Sequence, residues 1–436
     1  MTAESRLPDE VETARSLTLG NLGATVRQVR HVSLMLAVMI ALAIMSQFYR
    51  SSNGVIAPEL MADLSIGVGD IGWSSGSFFV IFALLQIPIG VLFDRYGVRR
   101  VLSAMLIFAV IGSWIFAVSQ SIGPLVVGRF LIGLGFAGGM VGSLVVLSRW
   151  HTPARFTQAM TLLFAMANVG SLLATLPLAA ANDWIGWRVT FLVLGAATAV
   201  IGLVFYAIVR DAPEDAIERG GRPQTLADSL RGMRDVIRVP GLLNVMPMIG
   251  IGYASIVTIV GLWGGPYLHD VYGLDGVARG NLLSVMAIAL VLGTLAYGPI
   301  RQKACSFRPV VVIGGIASAA LMIILAVVST APVWATASLL IAICFIGAYS
   351  VVLMAHGVAL VPPELAGRGS TTLNAALMGG TAILQIVSGE VIRLVQGWTG
   401  SLAHGYAAFF LLLGALTLAA AVIYHRAPEP PTRRIN

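Results

Sequence analysis

The sequence predicts an all-α, polytopic membrane protein, with twelve transmembrane helices in two pseudo-symmetric six-helix halves. Three observations carry that prediction. Of 436 residues, 57% are hydrophobic and only 11% charged, more apolar surface than a water-soluble chain of this size can bury. Apolar runs long enough to cross a hydrocarbon core of about 30 Å recur along nearly the whole chain. Those runs are continuous, without the period-2 alternation of barrel strands, and a helix satisfies its own backbone inside lipid.

Taken in order, the runs place spans at residues 32–57, 70–92, 100–119, 122–147, 156–180 and 188–209, and then at 242–267, 278–299, 309–329, 333–361, 370–395 and 403–425. The domain plan is then an N-terminal cytoplasmic segment 1–31, a first half 32–209, a cytoplasmic linker 210–241, a second half 242–425 and a cytoplasmic tail 426–436. The N-terminal segment is mixed polar and lacks a small-residue cleavage site after a short apolar run, so helix 1 reads as an uncleaved signal anchor. The linker is rich in Arg, Asp, Pro and Gly, with a short amphipathic helix expected around Leu226 to Ile237. Its basic character suits an inner-face position beside anionic headgroups.

Orientation follows from the basic residues. Arg188, Arg279 and Arg393 fall in loops on one side, Arg50 and Arg129 fall inside spans, and every other Lys and Arg falls on the opposite side. That asymmetry puts both termini in the cytoplasm of a cell, with the bacterial inner membrane as the expected location. The net charge of +7 therefore has a topological cause and points to no nucleic-acid partner. Cys305 and Cys344 form neither a disulfide framework nor a metal site; no metal or cofactor is expected. No Walker-type loop is present, which excludes ATP as the energy source. The histidines and cysteines show no spacing for a nucleophile, metal cluster or acid–base pair, which disfavours an enzyme or assembly factor.

A weak repeat links the halves. APELMADLSIG after helix 1 and GPYLHDVYGL after helix 7 each place Pro, then Leu two residues on, then Asp: Pro58, Leu60, Asp63 and Pro266, Leu268, Asp270. Duplicated halves bind their solute near the midplane between them.

The loop between helices 2 and 3 reads GVLFDRYGVRRVL, Gly90 to Leu102. Gly90 is suited to close packing of helix 2, and Gly97 to a tight turn. Asp94 sits at a helix junction where it can pair with an Arg or a helix N-terminus. With Arg95, Arg99 and Arg100 it is a candidate latch that holds one face shut in one state and breaks in the other. The matching loop of the second half, GPIRQKACSFRP, lacks the Asp, so the latch is expected to be asymmetric. Helix 4 contains VVGRFLIGLGFAGG, whose Gly133, Gly135, Gly138 and Gly139 give a smooth packing face.

The loop resembles the major facilitator superfamily signature G-x-L-x-D-R-x-G-R-K/R-x-x-L: Gly90, Leu92, Asp94, Arg95, Gly97, Arg99 and Leu102 correspond, while Val98 departs and Arg100 stands beside it. Helix 4 is similar to that family's pattern of an Arg followed by close glycines. The resemblance implies a secondary active transporter that works by rocking of its halves. The residues from Tyr49, Arg50, Asn53 and Pro58 through Leu60, Asp63, Gly72, Ser77, Phe78, Phe79, Ala83, Leu85, Gln86, Pro88 and Gly90 resemble the opening of its anion:cation symporters and organophosphate antiporters. In those branches an Arg at this place in helix 1 binds a carboxylate or phosphate, a task suited to its two-pronged fork. Tyr49 stands where an acid is common, Phe136 and Ala137 replace an acid in helix 4, and helix 7 carries no basic residue; these departures favour a single-carboxylate solute, or a wholly different one, over a phosphate ester.

Helix geometry alone leaves Arg50 open. It lies about 28 Å from His31 along a straight helix, far enough to snorkel, yet the apolar pattern continues through Val55 and Ile56 to Pro58. Arg129, about seven residues into helix 4, is costly unless paired or facing water, and is expected in the cavity or in proton coupling. His356 and Glu390 are the titratable candidates for coupling. Asn53, Gln86, Tyr253, Trp263, Tyr349, Asn374 and Gln385 are further candidates for the solute path. The expected protein is a monomer in lipid that takes up an organic anion with protons. The alternative is a proton-driven exporter of drugs or metabolites, for which Arg50 would not be essential.

Overall fold

A computed structural model describes residues 7–212, 226–328 and 330–430. Among the described residues, twelve helices are long and apolar enough to cross a membrane. They are α1 (Arg30–Leu64), α2 (Val68–Leu85), α3 (Val98–Ala117), α4 (Ile122–Trp150), α5 (Pro153–Leu173) and α6 (Leu176–Ile208), then α7 (Leu242–Tyr272), α8 (Gly276–Ala304), α9 (Arg308–Val327), α10 (Val333–Leu360), α11 (Gly367–Thr399) and α12 (Leu402–Tyr424). The amphipathic linker helix occupies Leu226–Ile237. The start of α1 and the end of α12 share one face, called here the terminal face; the other is the far face.

The halves are equivalent in contacts as well as in order. At the far end of α1, Asp63 accepts from Trp187 Nε1 at 3.0 Å and from the Arg188 guanidinium, both in α6. At the far end of α7, Asp270 accepts from the Tyr406 hydroxyl of α12 at 2.7 Å. The two acids of the weak repeat thus do the same work, tying the first helix of each half to the sixth.

The repeated prolines have a shared cause too. Proline has no N–H for the carbonyl four residues earlier, so Pro58 frees the Gly54 carbonyl and Pro266 frees that of Leu262. The Gly54 carbonyl lies against Gly265, and the Leu262 carbonyl lies against Gly54, where a Cβ would be only 2.7 Å away. Each freed oxygen meets a glycine of the other half, so α1 and α7 touch backbone to backbone.

Several helices are interrupted where the sequence suggested continuity. Pro88 cannot donate to the Leu84 carbonyl, so α2 stops at Leu85 and a separate helix, Pro88–Tyr96, carries the chain to the loop. α4 breaks between Phe136 and Gly139, and its counterpart α10 between Gly347 and Ser350. α7 holds a π-helical turn at Ile259–Trp263. Within α6 the backbone reverses at Gly186, φ 76° and ψ 159°. The residues before that reversal extend α5 toward the far face, because Leu176 packs on Gly280 and Asp183 on Gly276 along α8.

The halves meet along α2 with α11, α1 with α7, and the α5–α6 segment with α8. On the far face the seam is shut. Gly72 packs on Gly389 and on the Gln385 carbonyl, Trp73 Nε1 donates to Glu390 at 3.2 Å, and Arg279 of α8 pairs with Glu59 of α1 although its side chain is only 3% exposed. Toward the terminal face the halves enclose a cavity of about 260 Å³ bordered by Gln86, Gly90, Asp94, Arg368, Thr371 and the linker helix at Met233.

A candidate solute site at the seam between the halves

Arg50 lies on α1 at the inner end of the closed seam. Its guanidinium carbon stands 4.9 Å from the centre of the Phe82 ring and 6.0 Å from that of Phe79. Its Nε is buried without a hydrogen-bond partner, the residue is partly exposed, and among the described residues no acid pairs with it. A guanidinium held by aromatic faces alone keeps its charge for an incoming anion. The far-face contacts of Gly54 and Glu59 lie outward of it. Arg50 therefore stays deep rather than reaching the far interface.

Tyr49, the preceding residue, fixes this stretch of α1. Its ring packs against Phe136 and Phe191, and its hydroxyl donates to Ser113 Oγ at 2.9 Å, so α3, α4 and α6 hold it. Arg129 donates from Nη1 to the Tyr49 carbonyl at 2.8 Å and stands 5.1 Å from the centre of the Phe78 ring. It is 0% exposed. This corrects the expectation that Arg129 faces the cavity: the glycines of α4 bring it so close to α2 and α3 that no water reaches it. Gly133 packs on the Phe78 carbonyl and Gly135 on Ala109, as the smooth face of α4 requires.

The other path candidates divide. Gln86 and Asn374 meet across the halves, with Asn374 Nδ2 donating to Gln86 Oε1 at 2.8 Å at the cavity. Asn53 and Gln385 are wholly buried within the shut seam. Trp263 is also buried and donates to Ser388 Oγ at 2.7 Å, holding α7 to α11. Tyr349 is wholly buried with its hydroxyl against Gly252 and its ring against Gly314, behind α7 rather than on the path. Tyr253 is half-buried against the apolar core.

The two titratable candidates are displaced from the seam's centre. His356 lies at the terminal face, where Nε2 meets the Pro428 carbonyl at 3.0 Å and Nδ1 meets the Tyr424 hydroxyl at 2.5 Å. A carbonyl only accepts, so Nε2 carries a proton and the ring is fixed as a structural tie to the chain end. Beside it Glu429 accepts from the Ser306 hydroxyl and from the backbone N–H groups of Phe307 and Arg308, capping α9. Burial pushes the Glu429 carboxyl up, but those donors outweigh it and hold it below the ordinary carboxylate range. Glu390 sits at the far face, paired with Arg393 at 2.7 Å.

The signature loop also departs from expectation. Gly97 makes the turn at φ 79°, but a Cβ on Gly90 would meet nothing, so close packing does not explain that glycine. Among the described residues Asp94 and Arg100 have no ionic partner, and Arg95 lies over the Tyr96 ring at 5.2 Å. The acid that engages the loop is Asp211, just after α6, which accepts from the Arg99 N–H at 2.9 Å. Arg99 Nε in turn donates to the Tyr206 carbonyl at 2.7 Å. Asp211 escaped sequence reading, although it is the first acid after α6 on the face that carries the loop.

A larger recess of about 700 Å³ on the far face borders Glu59, Asp63, Asp183 and Arg188. It lies outside the shut seam and is rich in acids, so it does not suit an anion.

Two helical halves around a central seam, shut on one face and hollow toward the other, are the architecture of an alternating-access membrane protein. The chain belongs to the Major Facilitator Superfamily, which it matches over residues 37–385. It is 26% identical over 271 residues to a protein of Agrobacterium vitis named "Putative tartrate transporter", covering 57% of this chain and 59% of that relative's length. It is 31% identical over 140 residues to the nitrate/nitrite transporter NrtP of Nostoc punctiforme, covering 30% and 28% respectively. Among solved structures, a D-xylose-proton symporter superposes with a TM-score of 0.72 at 13% identity, covering 92% of this chain and 99% of that one. A bacterial homologue of the human lysosomal transporter Spinster gives 0.69 at 16%, covering 91% and 97%. The named relatives and structural neighbours are transporters, not enzymes.

Proposed function

We propose that this chain is a secondary active transporter that carries a small organic anion into the cell together with protons, by rocking of its two halves about the seam. The observation that carries the reading is Arg50: a partly exposed cation without an acid partner among the described residues, at the junction of the halves and stacked on Phe79 and Phe82. The names of the tartrate and nitrate relatives support an anionic solute. The terminal face is the cytoplasmic one, in a bacterial inner membrane, and the transporter acts as a monomer. Gln86 and Asn374 line the cytoplasmic approach, and Asp94 with the arginines of its loop forms the latch that shuts this face when the far face opens. An unpaired Asp94 beside an inward cavity agrees with that role.

The test is uptake of tartrate by liposomes holding the purified protein under an inward proton gradient. Arg50→Ala should abolish uptake, and Arg50→Lys should cost roughly tenfold or more in half-saturation, because an ammonium keeps the charge but not the bidentate fork. Wild-type rates in both variants would refute the anion anchor. Uptake that persists after the pH gradient is collapsed would remove protons from the mechanism.

A further inference from the structure

Near the level of Arg50 the spans hold buried polar groups with nothing to bond. Asn53, Ser75, Thr258 and Gln385 are each 0% exposed. Neither side-chain polar atom of either amide, nor either hydroxyl, has a hydrogen-bond partner. Some other buried hydroxyls in the spans bond back along their own helix, as Thr381 does to the Leu377 carbonyl at 2.9 Å and Ser255 to that of Ile251 at 2.8 Å, while Ser74 and Ser318 are unpartnered too. An amide buried without partners bears the full cost of desolvation, and native proteins retain such groups where another state uses them.

The contacts put these groups at one depth. α1 meets α7 at Gly54 and Gly261, α7 meets α11 at Trp263 and Ser388, α11 meets α2 at Gln385 and Gly72, and α2 meets α1 at Phe79 and Arg50. Asn53, Ser75, Thr258 and Gln385 all lie within about one helical turn of that ring. Asn53 and Ser75 belong to the first half, Thr258 and Gln385 to the second. Parting the halves on the far face would separate α1 from α7 and α2 from α11 at this level. The π turn at Ile259–Trp263, a distortion often kept for function, sits at the same level.

We infer that Asn53, Thr258 and Gln385 form, with Arg50, a subsite for the hydroxyl groups of a hydroxycarboxylate that exists only while the far face is open. The inference rests on Arg50 as anion anchor and adds both a solute class and a sidedness. A solute arriving from outside is held by its carboxylate and its hydroxyls. Closure brings Gly54, Gly72 and Gly265 back into contact and withdraws the amides. The solute then faces the cytoplasm held by Arg50 alone.

Sided competition tests this, with labelled tartrate as probe and succinate, the same chain without hydroxyls, as competitor. In right-side-out vesicles wild type should prefer tartrate by about tenfold or more, as expected of a site that bonds hydroxyls, and in inverted vesicles the two acids should compete nearly equally. Asn53→Leu and Gln385→Leu should erase the outside preference and leave the inside comparison unchanged. Both should also melt at a higher temperature than wild type in detergent, because each removes an unpartnered buried amide. Equal preference from both sides in wild type, a preference that survives both substitutions, lower melting temperatures, or transport of neither acid would each overturn the inference. Arg50→Ala separates the two readings: it should abolish entry of both acids from both sides, whereas the leucine variants should still carry succinate.

Discussion

At the scale of single residues, a buried charge is informative through what it touches. Arg50 and Arg129 are both guanidiniums inside spans, and both lie over phenylalanine rings of α2. Only Arg129 has a fixed acceptor, the Tyr49 carbonyl next to Arg50 in the chain. That bond makes Arg129 a positioning residue for Arg50, and its Nε and Nη2 remain unpaired. A buried charge without a counter-ion carries a large desolvation cost, which an apolar side chain of similar volume removes. Arg129→Met is therefore expected to keep or raise the melting temperature while weakening anion affinity roughly tenfold through a displaced Arg50. A lower melting temperature with unchanged half-saturation would show that Arg129 serves packing alone. The existence of both charges was legible in the sequence; their different surroundings were not, because contacts between α1, α2 and α4 decide them.

At the scale of elements, hydropathy located the spans because lipid forces each run of about twenty apolar residues to be helical. Breaks within them were harder to read. Pro88 announces its break, but the interruptions after Phe136 and Gly347 follow no proline, and the π turn in α7 has no local signal. The π turn lies where α7 packs on α1 of the other half, a contact that no local sequence shows. The chain end shows the same dependence on context: Ala427 is buried, and Glu429 caps α9 across more than a hundred residues. Since the Glu429 carboxyl is held below its ordinary range, its contribution is full above the unfolded value of about 4.3 and is lost as pH falls through the lower folded value. Glu429→Gln should cost about 1 kcal/mol at neutral pH, with the gap to wild type closing on acidification below about pH 4. Thermal melting across pH reads this directly, and a gap that widens in acid would contradict it.

At the scale of the whole molecule, the two halves balance between faces. The far face is shut by glycine contacts and by the Glu59–Arg279 pair, which joins α1 to α8 with Arg279 almost fully buried. Removing one partner strands the other. Glu59→Gln should therefore disfavour the shut far face by about 2 kcal/mol, seen as faster labelling of a cysteine placed at Asn53 by a membrane-impermeant reagent from outside. Labelling no faster than in the same cysteine variant with Glu59 intact would mean that the glycine contacts alone hold the seam.

The sequence by itself determined the helical class, the number of spans, the signature loop and the paired halves, because these follow from composition, apolar run length and local motif. It also singled out Arg50, through resemblance in the first helices. Only the tertiary structure decided that Asp63 and Asp270 perform equivalent ties, that Pro58 and Pro266 free carbonyls for each other's glycines, and that Asp211 rather than Asp94 engages the signature loop in this state. It also tied His356 to the chain end and buried Asn53 and Gln385. The physical reason is common to all of these. Hydropathy acts on each helix separately, whereas burial, pairing and access arise between helices brought together from distant parts of the chain.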